Sequence, residues 1–428
     1  MSGEKIFYDI HLHAFDLSHP CLYAFARRIT PVIETPLLGE IAGAITPLLW
    51  LSKKNEILNL LSVMERGVGE MLTLLQKDLQ IPLRIGDFEY DEVVITPLMM
   101  DFWYTLADQP HINYKFIPKS VVPQTLDTLN GIADYWKQNS TNGLKKMRPL
   151  PFMGLNTQRC HLNGQKVIPD VNDTKLESLL DKYFNSNIAK GNIYPGTNKF
   201  ANISNNCGRF NGELEPSDPT NLTNYFAGIK LYPGLGFDPW PTNDDAEMEK
   251  VAYLYKTCAD RQIPITVHCS DGGYKIGNIK QAEDRTHPRK WKHVLERYEN
   301  LKINLAHFGG REGIFDYAYY RLINSDAGVS SAGSWTETIA ELIAKYENAY
   351  TDISYAGHYD GVYAALAKIL AKKPNIAGKI MYGSDFSINL LDSFGYAEYT
   401  KQFLHDKNIS DNHKRMMCNA NPAKFLWK

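Results

Sequence analysis

Two histidines one residue apart close the first apolar run of the chain, Ile6-Phe-Tyr-Asp-Ile-His11-Leu-His13. The β-branched and aromatic residues predict a strand. Successive side chains of a strand point to opposite faces, so His11 and His13 share one face with Asp9 a step behind. Two neighbouring imidazoles can grip one divalent ion. A lone His-x-His is a weak signal, but more polar residues stand at the ends of later apolar runs. Lys230 lies in Gly228-Ile-Lys-Leu-Tyr-Pro233, His268 in Thr266-Val-His-Cys269, His307 in Leu305-Ala-His-Phe-Gly-Gly310, and Asp385 in Tyr382-Gly-Ser-Asp-Phe386. His268 follows Lys230 by 38 residues, His307 follows His268 by 39, and Asp385 follows His307 by 78, two such steps. Singly, each has a plain structural use as a hydrogen-bonded core residue, a solvated amine or a helix cap. Together, at one repeat spacing, they read as a metal site.

The elements that must carry these groups repeat with the same period. From residue 225, strands are expected at 226–231, 263–268, 302–307, 349–354 and 379–385, alternating with helices at 244–260, 288–298, 336–346 and 362–372. A closing helical region spans 396–427. Earlier strands are expected at 6–13, 92–100 and 148–155, and helices at 58–75, 122–136 and 175–184. Alternating strands and helices make a parallel sheet. Eight strands make an α/β fold of the (β/α)8 TIM-barrel kind, whose active site lies at the C-terminal strand ends. Such a barrel takes about 250 residues. The excess falls in large helical and loop insertions in the first three βα connections, 14–90, 101–146 and 160–222, read as a lid. No linker divides the chain, so residues 1–428 are read as one domain.

The strings around His11, His13, Lys230, His268, His307 and Asp385 resemble the amidohydrolase superfamily of metal-dependent TIM-barrel hydrolases, and most closely its amidohydrolase 2 branch. His287-Pro288 with Trp291, and Asn421-Pro422, fit that branch too. The resemblance covers strand 1 and residues 225–428; residues 14–224 carry no matching motif. It implies that His11, His13, His268 and Asp385 hold one Zn2+, or two ions if His307 and Lys230 join them, with Mn2+ or Co2+ able to substitute. Asp385, His307 and Lys230 are the implied catalytic residues. The expected reaction is hydrolysis of an amide, lactone or ester of a small molecule by metal-bound hydroxide, with Asp385 as general base and acid. The alternative is metal-dependent decarboxylation or hydration of an aromatic-derived carboxylic acid. Lys230 is either carboxylated and bridges two metals, or stays an ammonium paired with an acid; the second is preferred.

Substrate contacts are expected from Arg285, Arg159, Tyr232 and His287, with Ser270, Asp271, Tyr274 and Arg311 also at strand exits. A rim arginine can hold a carboxylate in two hydrogen bonds.

Bulk composition narrows the field. Across 428 residues, 46 Lys+Arg against 48 Asp+Glu give a net charge of −2, and no basic run stands out, which argues against nucleic acid as a partner. Six scattered cysteines without Cys-x-x-Cys fit a reducing compartment, read as cytoplasmic. The start of the chain has no apolar signal segment. The most apolar stretch, 41–50, is shorter than the roughly 20 residues of a membrane span, contains Pro47, and is read as a buried or lid helix. The expected partner is a small-molecule substrate, with no membrane; a homo-oligomer is compatible with this composition.

Overall fold

The structure is a computed structural model and describes residues 5–20, 54–102, 121–140, 147–168, 172, 174–184, 226–322, 334–392 and 395–427. The stretch 41–50 lies outside them, as do 21–53, 103–120, 141–146 and 185–222 of the three insertions.

Thirteen strands are formed among the described residues: β1 (Ile6–Leu12), β2 (Leu83–Ile85), β3 (Phe88–Tyr90), β4 (Glu92–Pro97), β5 (Met147–Pro149), β6 (Phe152–Gly154), β7 (Cys160–His161), β8 (Thr174–Lys175), β9 (Gly228–Leu231), β10 (Ile265–Ser270), β11 (Ile303–Gly309), β12 (Ala349–Asp352) and β13 (Ile380–Met381). Two sheets carry the site, in the orders β1-β4-β5 and β13-β12-β11-β10-β9-β6, and every pairing in them is parallel. Their strands are buried on both faces, which is why they read as continuous apolar runs.

Prolines divide the third expected strand. Pro149 and Pro151 flank Leu150 and have no N–H to donate. The part before them pairs with β4 and the part after them with β9. Backbone contacts nevertheless join the two sheets at both ends. Leu98 bridges Phe152, and Met99 N–H donates to Phe152 O at 3.1 Å. On the other side, Ile10 N–H donates to Tyr382 O at 3.2 Å, Asp385 N–H to His11 O at 2.7 Å, and His13 N–H to Phe386 O.

Helices cover the parallel strands. Asp244 caps Asp245–Arg261 by accepting from Glu247 N at 3.0 Å. Ser334 caps Trp335–Lys345 by accepting from Glu337 N at 3.1 Å. Both are side-chain oxygens on orphan first-turn donors. The helices Arg289–Arg297 and Val362–Lys372 fall where their periodicity put them. The region 14–90 differs from its helical reading. Two helices, Lys54–Met64 and Val68–Leu79, are separated at Gly67, and an antiparallel hairpin, β2–β3, follows. Among the described residues no helix is long and apolar enough to cross a membrane. The four described cysteines are buried and form no disulfide.

Candidate metal centre and active site

Lys230, His268, His307 and Asp385 come together with His11 and His13 at the C-terminal ends of the parallel strands. His11 and His13 end β1, and Asp385 follows β13. Gly383 makes the approach possible, since a Cβ there would stand 2.7 Å from the Cβ of His11. Asp385 itself has φ +58, a conformation a side chain adopts only when its surroundings hold it.

The hydrogen bonds fix which nitrogen of each β1 histidine is bare. His13 Nδ1 lies 2.8 Å from the Leu98 carbonyl, which can only accept, so Nδ1 carries the proton. His11 Nδ1 lies 3.0 Å from Asp352 Oδ2, a carboxylate held well below its ordinary range. Burial opposes that charge, but His11, His307 and Ser354 outweigh it. His11 is neutral, its pKa pushed down to about 3 by burial and by Lys230. Both Nε2 lone pairs therefore turn toward Asp385, whose Oδ1 lies 3.3 Å from His13 Nε2 and 3.6 Å from His11 Nε2. That oxygen is buried and accepts no hydrogen bond among the described residues. Two bare imidazole nitrogens and one bare carboxylate oxygen, mutually within 4.8 Å, suit a divalent ion. Asp385 stays ionised: burial acts to raise its pKa, but the imidazoles of His13, His11 and His307 around it bring it below the usual carboxylate range.

His268 and His307 are arranged otherwise. Burial, then His307 and Lys230, push the pKa of His268 well down, so its ring is neutral. Its Nε2 lies 3.0 Å from the Gly272 carbonyl and must donate, which leaves Nδ1 bare. His307 Nε2, 2.9 Å from that Nδ1, is then an N–H. His307 Nδ1 lies 2.8 Å from Ser354 Oγ and 3.2 Å from the Ser354 carbonyl. Tyr232 stacks on His268 with ring centroids 4.4 Å apart and an interplanar angle of 9°. Gly273, at φ +86, leaves the space they need, since a Cβ would sit 2.5 Å from His268 Nε2.

Lys230 is 1% exposed, and its Nζ lies 3.2 Å from His11 Nε2. Burial lowers its pKa to about 8, with Asp385 and Asp352 pulling the other way. The expected pairing with an acid is not formed: among the described residues no carboxylate oxygen lies within 4.0 Å of Nζ. The amine instead faces the lone pair that a metal would take.

A cavity of about 220 Å3 opens above this floor. Its described walls come from the exits of β10, β11 and β12, with Asp385 at the base and Arg311, Tyr355 and Tyr359 among the wall residues. An apolar cavity of about 150 Å3 holds a benzene ring, so a small substrate fits. Arg311 stacks its guanidinium 4.7 Å from the Tyr359 ring centroid.

The expected substrate contacts are scattered. Tyr232 lies under His268 and accepts from Tyr274 N–H at 2.9 Å. Arg159, buried, donates to Asp101 from Nε at 3.0 Å and Nη2 at 2.7 Å, bracing the exits of β4 and β6. Arg285 is half-buried on the helix Ile279–Thr286, outside the described cavity wall. His287 also lies outside it, 4.9 Å from the Trp335 ring; burial and then Arg289 lower its pKa to about 4. None of the described wall belongs to the three insertions expected to roof it. Their first residues do reach this end of the strands: Phe15 packs on Phe102 at 6.1 Å, and Phe102 on Tyr274 at 5.6 Å.

Sequence reasoning missed Asp352 and Ser354. The available signal was the spacing: two repeat steps separate His307 from Asp385, so one strand end stands between them, and Asp352 occupies it. A further group, Asp16, His19 and Asp127, sets its carboxylates on opposite ring nitrogens, 3.7 and 2.8 Å away, and clamps the loop after β1 to the helix Val121–Ser140.

No curated protein matches this chain in sequence. A 5-carboxyvanillate decarboxylase from Novosphingobium aromaticivorans, solved with manganese and 4-hydroxy-3-methoxy-5-nitrobenzoic acid, is 11% identical, with 99% of this chain and 96% of that chain covered and a TM-score of 0.47. A probable 2-pyrone-4,6-dicarboxylic acid hydrolase from Acinetobacter baumannii, with citric acid bound, is 10% identical, with 98% of each chain covered and a TM-score of 0.45. A 2,6-dihydroxybenzoate decarboxylase from Rhizobium is 11% identical, with 100% of this chain and 99% of that chain covered and a TM-score of 0.44. Residues 222–427, just under half of the chain, match the family model described as Amidohydrolase.

Proposed function

We propose that this protein is a metal-dependent hydrolase that cleaves an amide, lactone or ester bond of a small molecule. The carrying observation is the convergence of three bare ligand atoms, His11 Nε2, His13 Nε2 and Asp385 Oδ1, beneath a cavity. These residues would hold one ion, with His268 Nδ1 as the fourth donor once it is released from His307 Nε2, and zinc is the ion this donor set suits best. Such an ion supplies Lewis acidity and brings the pKa of a water down to about 7.

The chain's own groups do the rest. Asp385, ionised at neutral pH, would accept the proton of the attacking water on its carboxylate and return it to the leaving group. His307 offers its Nε2 proton to the substrate carbonyl once His268 turns away. Lys230, whose Nζ stands 3.2 Å from His11 Nε2, would give up that contact in the loaded site, either as an ammonium or, after its neutral amine adds CO2 and releases a proton, as a carbamate able to help hold a second ion. Arg311 is the wall guanidinium suited to a substrate carboxylate. Arg159 and Tyr232 act by holding the strand exits and His268, and Arg285 and His287 reach substrate only through movement of their helix.

This reading includes a closed (β/α)8 barrel in one domain. It is supported by backbone hydrogen bonds at both ends of the two sheets. The residues 14–90, 101–146 and 160–222 would form the lid, supported by the Phe15–Phe102–Tyr274 contacts at the catalytic end.

The experiment is chelation followed by readdition of Zn2+, Mn2+ or Co2+, with products scored on lactone, amide, ester and aromatic-acid panels. Hydrolysis products that return with metal support the reading. Release of CO2 from the aromatic acids alone would replace it with decarboxylation, and turnover unaffected by chelation would defeat both.

A further inference from the structure

We infer that Asp352 is the positioning residue that makes His11 a metal ligand, by holding its proton on Nδ1; this rests on the metal-site reading above. The carboxylate is fully buried at the end of β12 and accepts from five donors. Oδ2 takes His11 Nδ1 at 3.0 Å and Asn304 Nδ2 at 2.6 Å. Oδ1 takes the backbone N–H of His307 and that of Ser354, both at 3.0 Å, and Ser354 Oγ at 2.5 Å.

Two independent contacts give His11 the same tautomer. A carboxylate can only accept, so the proton lies on Nδ1. Lys230 Nζ, which has donors and no acceptor while protonated, stands 3.2 Å from Nε2, where only a lone pair receives it. The same Asp352 oxygen that binds Ser354 also holds His307 at φ +70 through its N–H. One carboxylate therefore sets the bare nitrogen of a β1 ligand and the backbone from which the β11 histidine projects.

Asn at 352 cannot do both. If its single carbonyl oxygen faces the backbone N–H groups of His307 and Ser354, its NH2 faces His11 Nδ1. That ring must then accept on Nδ1 and carry its proton on Nε2, the metal side. If the amide is reversed, its NH2 opposes two backbone donors. The first arrangement costs metal binding directly, and the second sets a donor against the backbone N–H groups of His307 and Ser354.

The test is the Asp352→Asn protein, measured by chelator competition and by 15N NMR of the histidine rings, without reference to turnover. The dissociation constant for Zn2+ should rise by about 10–100-fold, the usual effect of losing an outer partner of a ligating histidine. In the metal-free variant the His11 proton should appear on Nε2. Unchanged affinity and tautomer in a folded variant would overturn the inference. Should the variant not fold, the metal-free wild-type protein decides: a His11 proton on Nδ1 supports the inference, and one on Nε2 overturns it. A wild-type protein that binds no Zn2+ would instead defeat the metal-site reading, whatever the tautomer.

Discussion

The two histidine pairs at the floor of the site are built on opposite plans. His11 and His13 each give a proton outward, to Asp352 and to the Leu98 carbonyl, and keep a bare nitrogen inward. His268 and His307 spend their inward nitrogens on each other, 2.9 Å apart. The first pair is set for a ligand before one arrives. The second must break a hydrogen bond to join it. The difference teaches that similar residues at equivalent strand ends need not be equivalent ligands: the outer partner decides, and here it favours β1 and Asp385 as the place where an ion would be held most tightly.

The largest expected effect tests the acid that completes the first pair. Asp385→Asn should lower turnover by at least about 10²–10⁴-fold through lost proton transfer, with the fold retained by circular dichroism. Near-normal activity would break the comparison at its centre. The next sets the pairs against each other. His13→Ala should weaken Zn2+ binding more than His268→Ala does, read as dissociation constants by chelator competition. Equal losses would mean that both pairs ligate equally and that a second ion lies between His268 and His307.

The smallest effect concerns the amine between the pairs. In metal-stripped protein, Lys230 releases its proton at about 8 when folded and at an ordinary 10.5 when unfolded. Between those values the unfolded chain binds more protons, so stability rises with pH. Chemical denaturation across this window should show wild type gaining on Lys230→Met by up to about 3 kcal/mol, and holding level with it below pH 8. A flat difference throughout would mean that Lys230 is carboxylated or paired with an acid.

What could be read in advance follows from where the chain repeats itself. Beyond residue 225, doubly buried parallel strands make unbroken apolar runs, and helices between them keep a 3.6-residue period, so strands such as Ile303–Gly309 and helices such as Val362–Lys372 lie close to their expected bounds. Before residue 225 that regularity fails. The hairpin Leu83–Tyr90 has three-residue strands, too short to show a period of two, and Pro149 and Pro151 cut a run that looked continuous. In the site, ligand types at strand ends were visible because imidazoles and carboxylates are rare there. Asp352 was not, because its work is done through hydrogen bonds to His11, Asn304 and Ser354, which only the folded chain brings together. Arg159 looked like a substrate contact for the converse reason: nothing in the sequence announces its partner Asp101.

The prolines that divide the third strand give the site a mechanical meaning. His11 and His13 belong to the sheet of β1, β4 and β5, while Asp385, His268 and Lys230 sit on or just beyond the strands of the other. An ion shared among them would act as a clasp across the seam, fastening the first strand of the chain to the last. Chain segments more than 370 residues apart would then open together or not at all. Removing the clasp should leave the six-stranded sheet intact and let β1 breathe, so that its amides exchange with solvent faster than those of β10 and β11.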